Sequence, residues 1–583
     1  MYSSVKIVVE EIPGSSQHAT SEKDTCRRNI IHAIPILVLF FVGSLILFVA
    51  SPEKSQDQII INTKSDFLSK PGEGEILRQE KQSSFLPNII LYLIDDQGFA
   101  DMGYNGQDFA NLTPNLDAFA ADGIKMSRYY TEYVCTPSRA SLMTGKIPMV
   151  IGMQDLVPDF SEPWGVPLEY KFMPEYMKKL GYSTHLVGKW HLGFSEAGYT
   201  PTHRGFDSFF GFLFGKNDYY NHTACSSRAG CWNDFHFNGK TYPEALGIYS
   251  TELYNSRVKS LLAEHDKDTP LFLFYSQQLM HSPTEEPPLH YFSDHDLDLV
   301  DELLEGDRQI KGKMSLVMDQ SFKSMIDELK ANGLYDNSYI IVASDNGGCS
   351  SDGGYNNPLR GEKNTVFEGG IRANAFIHSP LLPDFKRGTS YDGLFHVSDW
   401  LNTILVGMIG SSQTDVNAEF ALDDVFEQAA SHNLWEHILS PNSELANARP
   451  RESIIHNIET KVDGPFIRGA VRHGNFKLIY GERNADWYVP GTSPEHDFCE
   501  RLWVEVSKET RIFDIDLDPY EKENLLHTID DLILSDLWDL YDLAYRSQGE
   551  SAYQETDWGC YEIFAEHNRF LVPWIENEES VGK

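Results

Sequence analysis

Short apolar runs alternate with longer amphipathic stretches along most of this chain, starting near residue 87. The runs that predict buried strands are residues 88–94, 184–187, 271–275 and 339–343. Two stretches, 173–180 and 314–331, carry apolar residues at helical spacing and stop close to a glycine, so they predict helices. Strands that alternate with helices predict an α/β domain, with a large, mostly parallel (mixed) sheet flanked by helices.

The pattern changes after about residue 445. Residues 466–480 form two strand-like runs separated by a turn at His473-Gly474-Asn475, and residues 511–515 form a third run. Consecutive short strands joined by tight turns predict an antiparallel sheet. We therefore predict a large α/β domain over residues 86–445 and a smaller α+β domain over residues 446–583.

The N-terminal part has a different composition. Residues 30–50 are an uncharged apolar run that is long enough to cross a bilayer as a helix. Residues 1–29 end in Arg27 and Arg28, which favours a cytosolic tail, and residues 51–85 predict a flexible stem. We therefore predict a single-pass type II membrane protein whose signal anchor holds a lumenal or extracellular catalytic domain. The alternative is a cleaved signal peptide, which would give a secreted or lysosomal protein.

The chain of 583 residues has a formal net charge of −38 and 41% hydrophobic residues, which is typical of a folded, acidic protein. Nucleic acid is excluded as a partner, because a phosphate backbone requires a basic surface. An anionic substrate would need a few cations concentrated in one pocket. Glycosylation sequons at Asn111 and Asn221 are consistent with a lumenal domain.

Seven cysteines are too few for a fold that depends on disulfides, but they allow one or two bridges. Cys225 and Cys231 lie close together in a polar loop and are the first predicted pair. Cys499 with Cys560 is the second predicted pair, and it would leave Cys349 without a partner.

Polar residues follow four of the predicted strands. They are Asp95 and Asp96, Lys189 and His191, His281, and Asp345 and Asn346. Because the carboxyl ends of parallel strands meet at one edge of a sheet, we expect these side chains in one crevice. Carboxylates and an amide, with no local Cys/His cluster, suit Ca²⁺ or Mg²⁺ better than zinc. Taken singly, each group also has an ordinary structural explanation as a cap, a turn or a solvated side chain.

A further cysteine stands at a predicted helix start, in the string Cys135-Thr136-Pro137-Ser138-Arg139. Pro137 suits a first helical turn, and Ser138 is expected to cap it. The positive field of a helix N-terminus, with Arg139 nearby, predicts an acidic and reactive thiol. The alternative is a buried structural cysteine.

The longer string CTPSRASLMTG resembles the signature that directs oxidation of a cysteine to Cα-formylglycine in type I sulfatases. The strings LYLIDDQGFADMGYNG, GYSTHLVGKWHLG, SDNGG and VRHGNFKLIYG extend the resemblance over about residues 86–570. The chain is thus similar to type I sulfatases of the alkaline-phosphatase superfamily, and among them to arylsulfatase B (N-acetylgalactosamine-4-sulfatase) and its animal relatives. The resemblance implies an alkaline-phosphatase-like fold and the hydrolysis of sulfate esters.

The resemblance also implies roles for single residues. The ligands implied for one Ca²⁺ ion are Asp95, Asp96, Asp345, Asn346 and the formylglycine formed from Cys135. Arg139 would support the formylglycine and the metal, while Lys189 and Lys363 would bind the sulfate oxygens. His191 would serve the formylglycine, and His281 would contact the substrate and protonate the leaving oxygen. Maturation would need the formylglycine-generating enzyme as a partner.

The implied substrate is a sulfated glycosaminoglycan sugar, such as N-acetylgalactosamine 4-sulfate, or an aryl sulfate. One alternative is a phosphoesterase of the same superfamily, which would need a Ser or Thr nucleophile and zinc ligands rich in His. Another is a non-catalytic, membrane-tethered glycan binder. The sequence offers neither feature of the phosphoesterase, and the presence of Cys135 together with two lysines and two histidines disfavours the binder.

Overall fold

The computed structural model describes residues 86–155, 157–226, 230–411, 431–440, 450–462, 466–490, 499 and 507–576. The predicted cytosolic tail, signal anchor and stem, residues 1–85, lie outside the described residues. Within the described ranges, no helix combines the length and the apolar character needed to cross a bilayer. The type II anchor therefore stays a prediction.

The strands of the catalytic part belong to one large sheet and two short pairs. In chain order they are β1 (Asn88–Ile94), β2 (Ile124–Met126), β3 (Tyr129–Tyr130), β4 (Ser183–Lys189), β5 (Ser208–Phe212), β6 (Thr223–Ser226), β7 (Gly230–Asn233), β8 (His236–Phe237), β9 (Lys240–Thr241), β10 (Leu271–Gln277), β11 (Ser338–Ser344), β12 (Ala375–His378), β13 (Thr389–Tyr391) and β14 (Phe395–His396). Four more strands follow: β15 (Ser453–Val462), β16 (Phe466–His473), β17 (Phe476–Tyr480) and β18 (Thr510–Asp514).

The large sheet has the strand order β13-β2-β12-β11-β1-β10-β4-β5-β8-β9. Its centre, from β11 through β1, β10 and β4 to β5, is parallel throughout. The strands β12 and β8 on either side of this centre run antiparallel to it. The sheet is therefore mixed, as predicted.

Eleven α-helices lie among or after the strands in the described residues, and most of them flank the large sheet. They are α1 (Pro114–Asp122), α2 (Cys135–Thr144), α3 (Met173–Lys179), α4 (Ser250–Glu264), α5 (Asp294–Asp301), α6 (Asp307–Ala331), α7 (Glu368–Ile371), α8 (Asp399–Asn402), α9 (Trp435–Leu439), α10 (Asp531–Arg546) and α11 (Cys560–Glu566). The long helix α6 begins seven residues before the predicted start at 314, because polar residues at its N-terminal end hide the apolar spacing.

Strand β1 shows how the sheet is buried on both faces. Ile89 and Leu91 pack into one hydrophobic cluster, with α2 and α3, whereas Ile90 and Tyr92 pack into the other, with α4 and α6. Successive residues of a strand point to opposite faces, so an unbroken apolar run indicates two covered faces. This is why a continuous apolar segment predicted a central strand.

The C-terminal strands form a separate antiparallel sheet with the order β15-β16-β17-β18. Ile455 on one face packs with Leu537 and Tyr541 of α10, while Ile454 on the other face packs with Phe367 of the catalytic part. The predicted fold class, a large mixed sheet flanked by helices and a smaller antiparallel α+β unit, is confirmed.

Two disulfides are present among the described cysteines. Cys225–Cys231 joins β6 to β7, as predicted. The predicted pair Cys499–Cys560 is wrong, because Cys499 is bonded to Cys349, with their Cα atoms 5.6 Å apart. Cys560 is instead a free thiol, buried in the large hydrophobic cluster at the start of α11. The two partners of the second bridge are 150 residues apart, so the sequence gives no local signal for it.

Candidate active site

The candidate site lies where four parallel strands end side by side. The neighbours β11, β1, β10 and β4 are in parallel register, so the residues that follow them reach the same edge of the sheet. Asp345 follows β11, Asp95 follows β1, and Lys189 ends β4. The predicted crevice is therefore a consequence of strand order, and every predicted site residue in it is buried.

Cys135 is the first residue of α2 and lies at the centre of this group. Its Sγ atom is 3.7 Å from Oδ1 of Asp95 and 3.7 Å from Oδ1 of Asp96. Ligand atoms of these three residues and of His281 all lie within 4.8 Å of one another. Residues from three distant parts of the chain thus converge on one point.

The predicted acidity of the Cys135 thiol is wrong. Burial raises the pKa of Cys135 to about 12, and the neighbouring carboxylates add to this effect although Lys189 and Lys363 oppose it. The helix terminus and Arg139 favour a low pKa of the thiol, but desolvation has the larger effect. Ser138 also does not cap the helix, because its hydroxyl is bonded to the backbone of Glu132.

The carboxylates and the amide are arranged as an oxygen-rich cluster. Oδ1 of Asp345 accepts the backbone N–H of Asp96 at 3.1 Å. The amide nitrogen of Asn346 donates to Oδ1 of Asp96 at 2.7 Å, and its Oδ1 atom is buried without a hydrogen-bond partner among the described residues. Burial raises the pKa of Asp95 to about 7, with Asp345 and Asp96 adding to the rise and Lys189 opposing it. A divalent cation between these oxygens would offset the repulsion of the carboxylates. The oxygen atoms present are therefore ligands that fit Ca²⁺ or Mg²⁺.

Two lysines donate hydrogen bonds to the carboxylates of Asp95 and Asp96. Nζ of Lys189 donates to both oxygens of Asp95, at 2.7 and 2.9 Å, and is completely buried. Nζ of Lys363 donates to Oδ2 of Asp96 at 2.5 Å. Burial alone would raise the pKa of Asp96, but His281, Lys363 and Lys189 together lower it below its ordinary value. At Asp96 these cations therefore outweigh burial, whereas at Asp95 burial outweighs the effect of Lys189.

Arg139 connects α2 to the strand ends. Its Nε donates to Oδ2 of Asp345 at 2.9 Å, and its Nη2 lies 2.8 Å from the same oxygen and 3.3 Å from Oδ1 of Asp95. Nη1 donates to the hydroxyl of Ser276 at 2.7 Å. A planar guanidinium that contacts two carboxylates and a hydroxyl fixes their relative positions.

One ring nitrogen of His281 is bonded to the backbone, and the other faces Lys363. Nδ1 is 2.8 Å from the carbonyl oxygen of Ser282, which makes Nδ1 the protonated nitrogen of the neutral ring. Nε2 lies 3.0 Å from Nζ of Lys363 and 3.4 Å from Oδ2 of Asp96. Burial lowers the pKa of His281 well below its ordinary value, against the opposing charge of Asp96.

His191 has a different environment. Both of its ring nitrogens are buried and lack a hydrogen-bond partner in the described part of the chain. Burial lowers the pKa of His191 well below its ordinary value, and Lys189 and Arg139 lower it further. Gly215 packs against the ring, since a Cβ atom there would lie 2.4 Å from the ring atom Cε1. The ring is therefore positioned by packing rather than by a hydrogen bond.

Sequence analysis missed several residues that support the site. They are Thr136, whose hydroxyl donates to the carbonyl of His191 at 2.9 Å, Ser276, which binds Arg139, and Gly215. Ser276 was detectable in principle, because it is a polar residue near the end of the apolar strand β10. Gly215 carries no such signal, since its partner is 24 positions earlier in the sequence.

Proteins of known class share this fold and sequence. The chain is 38% identical to arylsulfatase J of Mus musculus over 75% of this chain and 72% of that protein. It is 31% identical to N-acetylgalactosamine-6-sulfatase of Mus musculus, over 50% of this chain and 57% of that protein. A crystal structure of Ps i-CgsB in complex with k-i-k-neocarrahexaose superposes with a TM-score of 0.64 at 24% identity, covering 83% of this chain and 98% of that one.

The fold and these relatives define a sulfuric ester hydrolase. The sequence pattern of the sulfatase family matches residues 87–410, and this range contains all the predicted site residues. The chain belongs to the sulfatase family, and the resemblance to sulfatases is confirmed.

Proposed function

We propose that this protein is a calcium-dependent sulfatase that hydrolyses sulfate esters, with Cys135 converted to Cα-formylglycine as the reactive group. The single observation that carries the proposal is the position of the Cys135 Sγ atom, 3.7 Å from carboxylate oxygens of both Asp95 and Asp96. A structural cysteine would be surrounded by apolar side chains, whereas this one lies among charged groups.

Calcium would be held by Asp95, Asp96, Asp345 and Asn346. When bound, the ion would supply Lewis-acid polarisation next to residue 135. In its absence the three carboxylates are matched by the cations Arg139, Lys189 and Lys363. A divalent cation would therefore make the cluster positive, which favours an anionic sulfate ester in a chain of net charge −38.

The formylglycine, as a hydrated aldehyde, would supply an oxygen nucleophile that an unmodified thiol cannot offer. Lys189 and Lys363 would neutralise the charge that develops on the sulfate oxygens. Lys363, whose Nζ donates to Nε2 of His281 at 3.0 Å, would supply the proton that this nitrogen passes to the departing oxygen. His191, whose ring nitrogens have no partner among the described residues, would accept a proton from a hydroxyl at residue 135.

The substrate class we propose is a sulfated glycosaminoglycan sugar or an aryl sulfate. Support comes from the relatives named arylsulfatase J and N-acetylgalactosamine-6-sulfatase, at 38% and 31% identity. N-acetylgalactosamine 4-sulfate, the substrate implied by the resemblance to arylsulfatase B, is one candidate within this class. The phosphoesterase and the non-catalytic binder are disfavoured by membership of the sulfatase family.

We place the mature protein in the secretory pathway, with catalytic and C-terminal domains over residues 86–445 and 446–583. Two disulfides support an oxidising compartment, and the sequon residues Asn111 and Asn221 are exposed. Conversion of Cys135 would occur there through the formylglycine-generating enzyme.

The test is turnover by the purified full chain in calcium. Release of sulfate is measured from a small aryl sulfate and from sulfated chondroitin and dermatan disaccharides. We expect sulfate release from at least one substrate, and a loss of at least about a thousandfold in Cys135→Ser, because a serine lacks the aldehyde oxygen. Unchanged turnover in Cys135→Ser would refute the proposed role of residue 135.

A further inference from the structure

A second polar cavity, here called the edge cavity, lies at the margin of the large sheet. Its volume is about 240 Å³. The lining residues that matter are Phe99, Tyr104, Asn105, Lys125, Arg372 and Asn374. None of the proposed catalytic or metal-binding residues lines this cavity, so it is distinct from the site described above.

The sheet edge places Lys125 in the wall of the cavity. Lys125 is the middle residue of β2, whose two other residues, Ile124 and Met126, are buried. It pairs with Phe376 of β12 on one side and with Ser390 of β13 on the other. Alternation along β2 therefore leaves the lysine half-exposed while its neighbours are in the core.

The charged groups that line the edge cavity are both cationic. No hydrogen bond or ion pair joins Nζ of Lys125 to the described residues. The Nζ atom lies 5.6 Å from the centroid of the Tyr104 ring, and its charge opposes the rise that burial causes in the pKa of Asp117. Arg372 donates from Nε and Nη2 to the carbonyl oxygen of Ser127, at 3.1 and 2.8 Å, and its Nη1 is 3.8 Å from Glu368. No carboxylate among the described residues lines the cavity. In a chain of net charge −38, this is a local reversal of sign.

The uncharged groups in the wall suit a sugar ring. The rings of Tyr104 and Phe99 also line the wall, with Nζ of Lys125 over the first at 5.6 Å from its centroid and Cζ of Arg372 over the second at 6.0 Å. The amides of Asn105 and Asn374 also line the wall, where they are bonded to each other, with the Asn105 nitrogen donating to the Asn374 oxygen at 2.7 Å. A volume of about 240 Å³ is below the range of about 300–1,000 Å³ that holds drug-sized ligands, so it suits a single ring.

Asn374 connects the edge cavity to the candidate metal-binding loop. Its side-chain nitrogen donates to the carbonyl oxygens of Gly98 and Phe99, at 3.0 and 3.3 Å, and its oxygen accepts from Asn105 at 2.7 Å. The segment it holds directly follows Asp95 and Asp96. The cavity wall is thus hydrogen-bonded to the segment that follows two of the proposed metal ligands.

We propose that the edge cavity is a second binding site, for one anionic sugar unit that carries a sulfate or a carboxylate. Lys125 and Arg372 would bind the anionic group, and the aromatic rings would contact the face of the sugar. The proposal concerns binding only and does not depend on turnover at Cys135, so the two can fail separately.

The test is calorimetric titration of the full chain carrying Cys135→Ala and Lys363→Ala, which blocks turnover and weakens binding at the proposed catalytic site. The probes are N-acetylgalactosamine 4-sulfate, glucuronate, unsulfated N-acetylgalactosamine and inorganic sulfate. We expect one site for a charged sugar, with affinity reduced at least about tenfold by Lys125→Gln and retained in Lys125→Arg. The tighter of the two charged sugars identifies the preferred anion.

The matched control is Lys323→Gln, which removes an exposed lysine on α6 that lies outside the edge cavity. It is expected to leave the affinity unchanged. In Cys135→Ala alone, the same titration is expected to show two sites, of which Lys125→Gln removes one. The proposal is overturned if neither charged sugar binds, if Lys125→Gln has no effect, or if inorganic sulfate or the unsulfated sugar binds as tightly as the charged sugars.

Discussion

Two buried clusters of charged side chains differ in how many of their polar atoms have a hydrogen-bond partner within the protein. In the cluster that joins the two sheets, Nζ of Lys477 donates to Glu368 at 3.0 Å and to Glu521 at 2.8 Å. The remaining oxygen of Glu368 accepts from Tyr130, and that of Glu521 accepts the backbone N–H of Glu368. Each carboxylate oxygen there has a partner from the protein itself.

The candidate active site is equally buried but incomplete. Oδ1 of Asn346 and both nitrogens of His191 have no partner among the described residues, and a thiol stands between two carboxylates. Buried polar atoms are normally satisfied, so an exception indicates a group that a ligand completes. Buried charge is common to both clusters, and of the two only the candidate active site also contains buried polar atoms that lack a partner among the described residues. The predictions below test this distinction.

The largest expected effect is on stability, at the complete cluster. Lys477→Met leaves two buried carboxylates without their cation, so we expect the free energy of unfolding to fall by about 3–5 kcal/mol. Urea denaturation measures it. Lys323→Met, at an exposed lysine, is the control and is expected to change stability by less than about 1 kcal/mol. A loss at Lys477 no larger than at Lys323 would contradict the structural role of the cluster.

The same substitution at the incomplete cluster is expected to act on activity. Lys363→Met removes a cation proposed to bind the sulfate oxygens, so kcat/KM for an aryl sulfate is expected to fall about 10²–10³-fold. In saturating calcium its unfolding free energy is expected to change less than in Lys477→Met, because the metal still compensates Asp96. If Lys363→Met lost as much stability as Lys477→Met but retained its turnover when folded, Lys363 would have a structural role and not the proposed role in binding sulfate.

The complete cluster also predicts a pH dependence of stability. Burial raises the pKa of Glu521 from 4.5 to about 7, and the charge of Glu368 adds to the rise although Lys477 opposes it. Between these two values the folded state binds more protons at Glu521 than the unfolded state does, so stability falls as the pH rises from 4.5 to 7. The contribution is up to about 3 kcal/mol. Denaturation at several pH values is expected to show a flatter profile in Glu521→Gln, and an identical profile would contradict the assignment.

A smaller effect is expected from the metal. Calcium at a hundredfold excess over its Kd is expected to stabilise the protein by about 2.7 kcal/mol, which thermal unfolding with and without a chelator measures. Asp345→Asn removes a charge from the proposed ligands and is expected to weaken this stabilisation. Equal stabilisation by calcium in Glu521→Gln serves as the control, and equal stabilisation in Asp345→Asn would argue against the proposed ligand set.

Sequence predicted the incomplete cluster far better than the complete one. Asp95, Lys189 and Asp345 are polar residues at the ends of apolar strands, where strand order alone brings them together. Lys477 lies within a strand of the small sheet, 109 positions from Glu368, and nothing in the local pattern indicates that its side chain is buried. Contacts that depend on how two sheets pack leave no local signal.

Two errors have the same origin. The Cys349–Cys499 bridge joins residues 150 positions apart, which is why the sequence does not identify it and Cys560 was predicted as the partner instead. The thiol pKa of Cys135 was misjudged because desolvation depends on the complete environment, which only the fold defines. Residue types can be read from the sequence, whereas the pairing of distant segments and the burial of a side chain depend on the fold.

The most direct test of the account is mass spectrometry of the peptide that contains Cys135, from protein made in cells that carry the formylglycine-generating enzyme. The account predicts that one sulfur atom and two hydrogen atoms are replaced by a carbonyl oxygen, and that sulfate release rises with the fraction converted. An unmodified thiol at residue 135 in protein that still releases sulfate would contradict it.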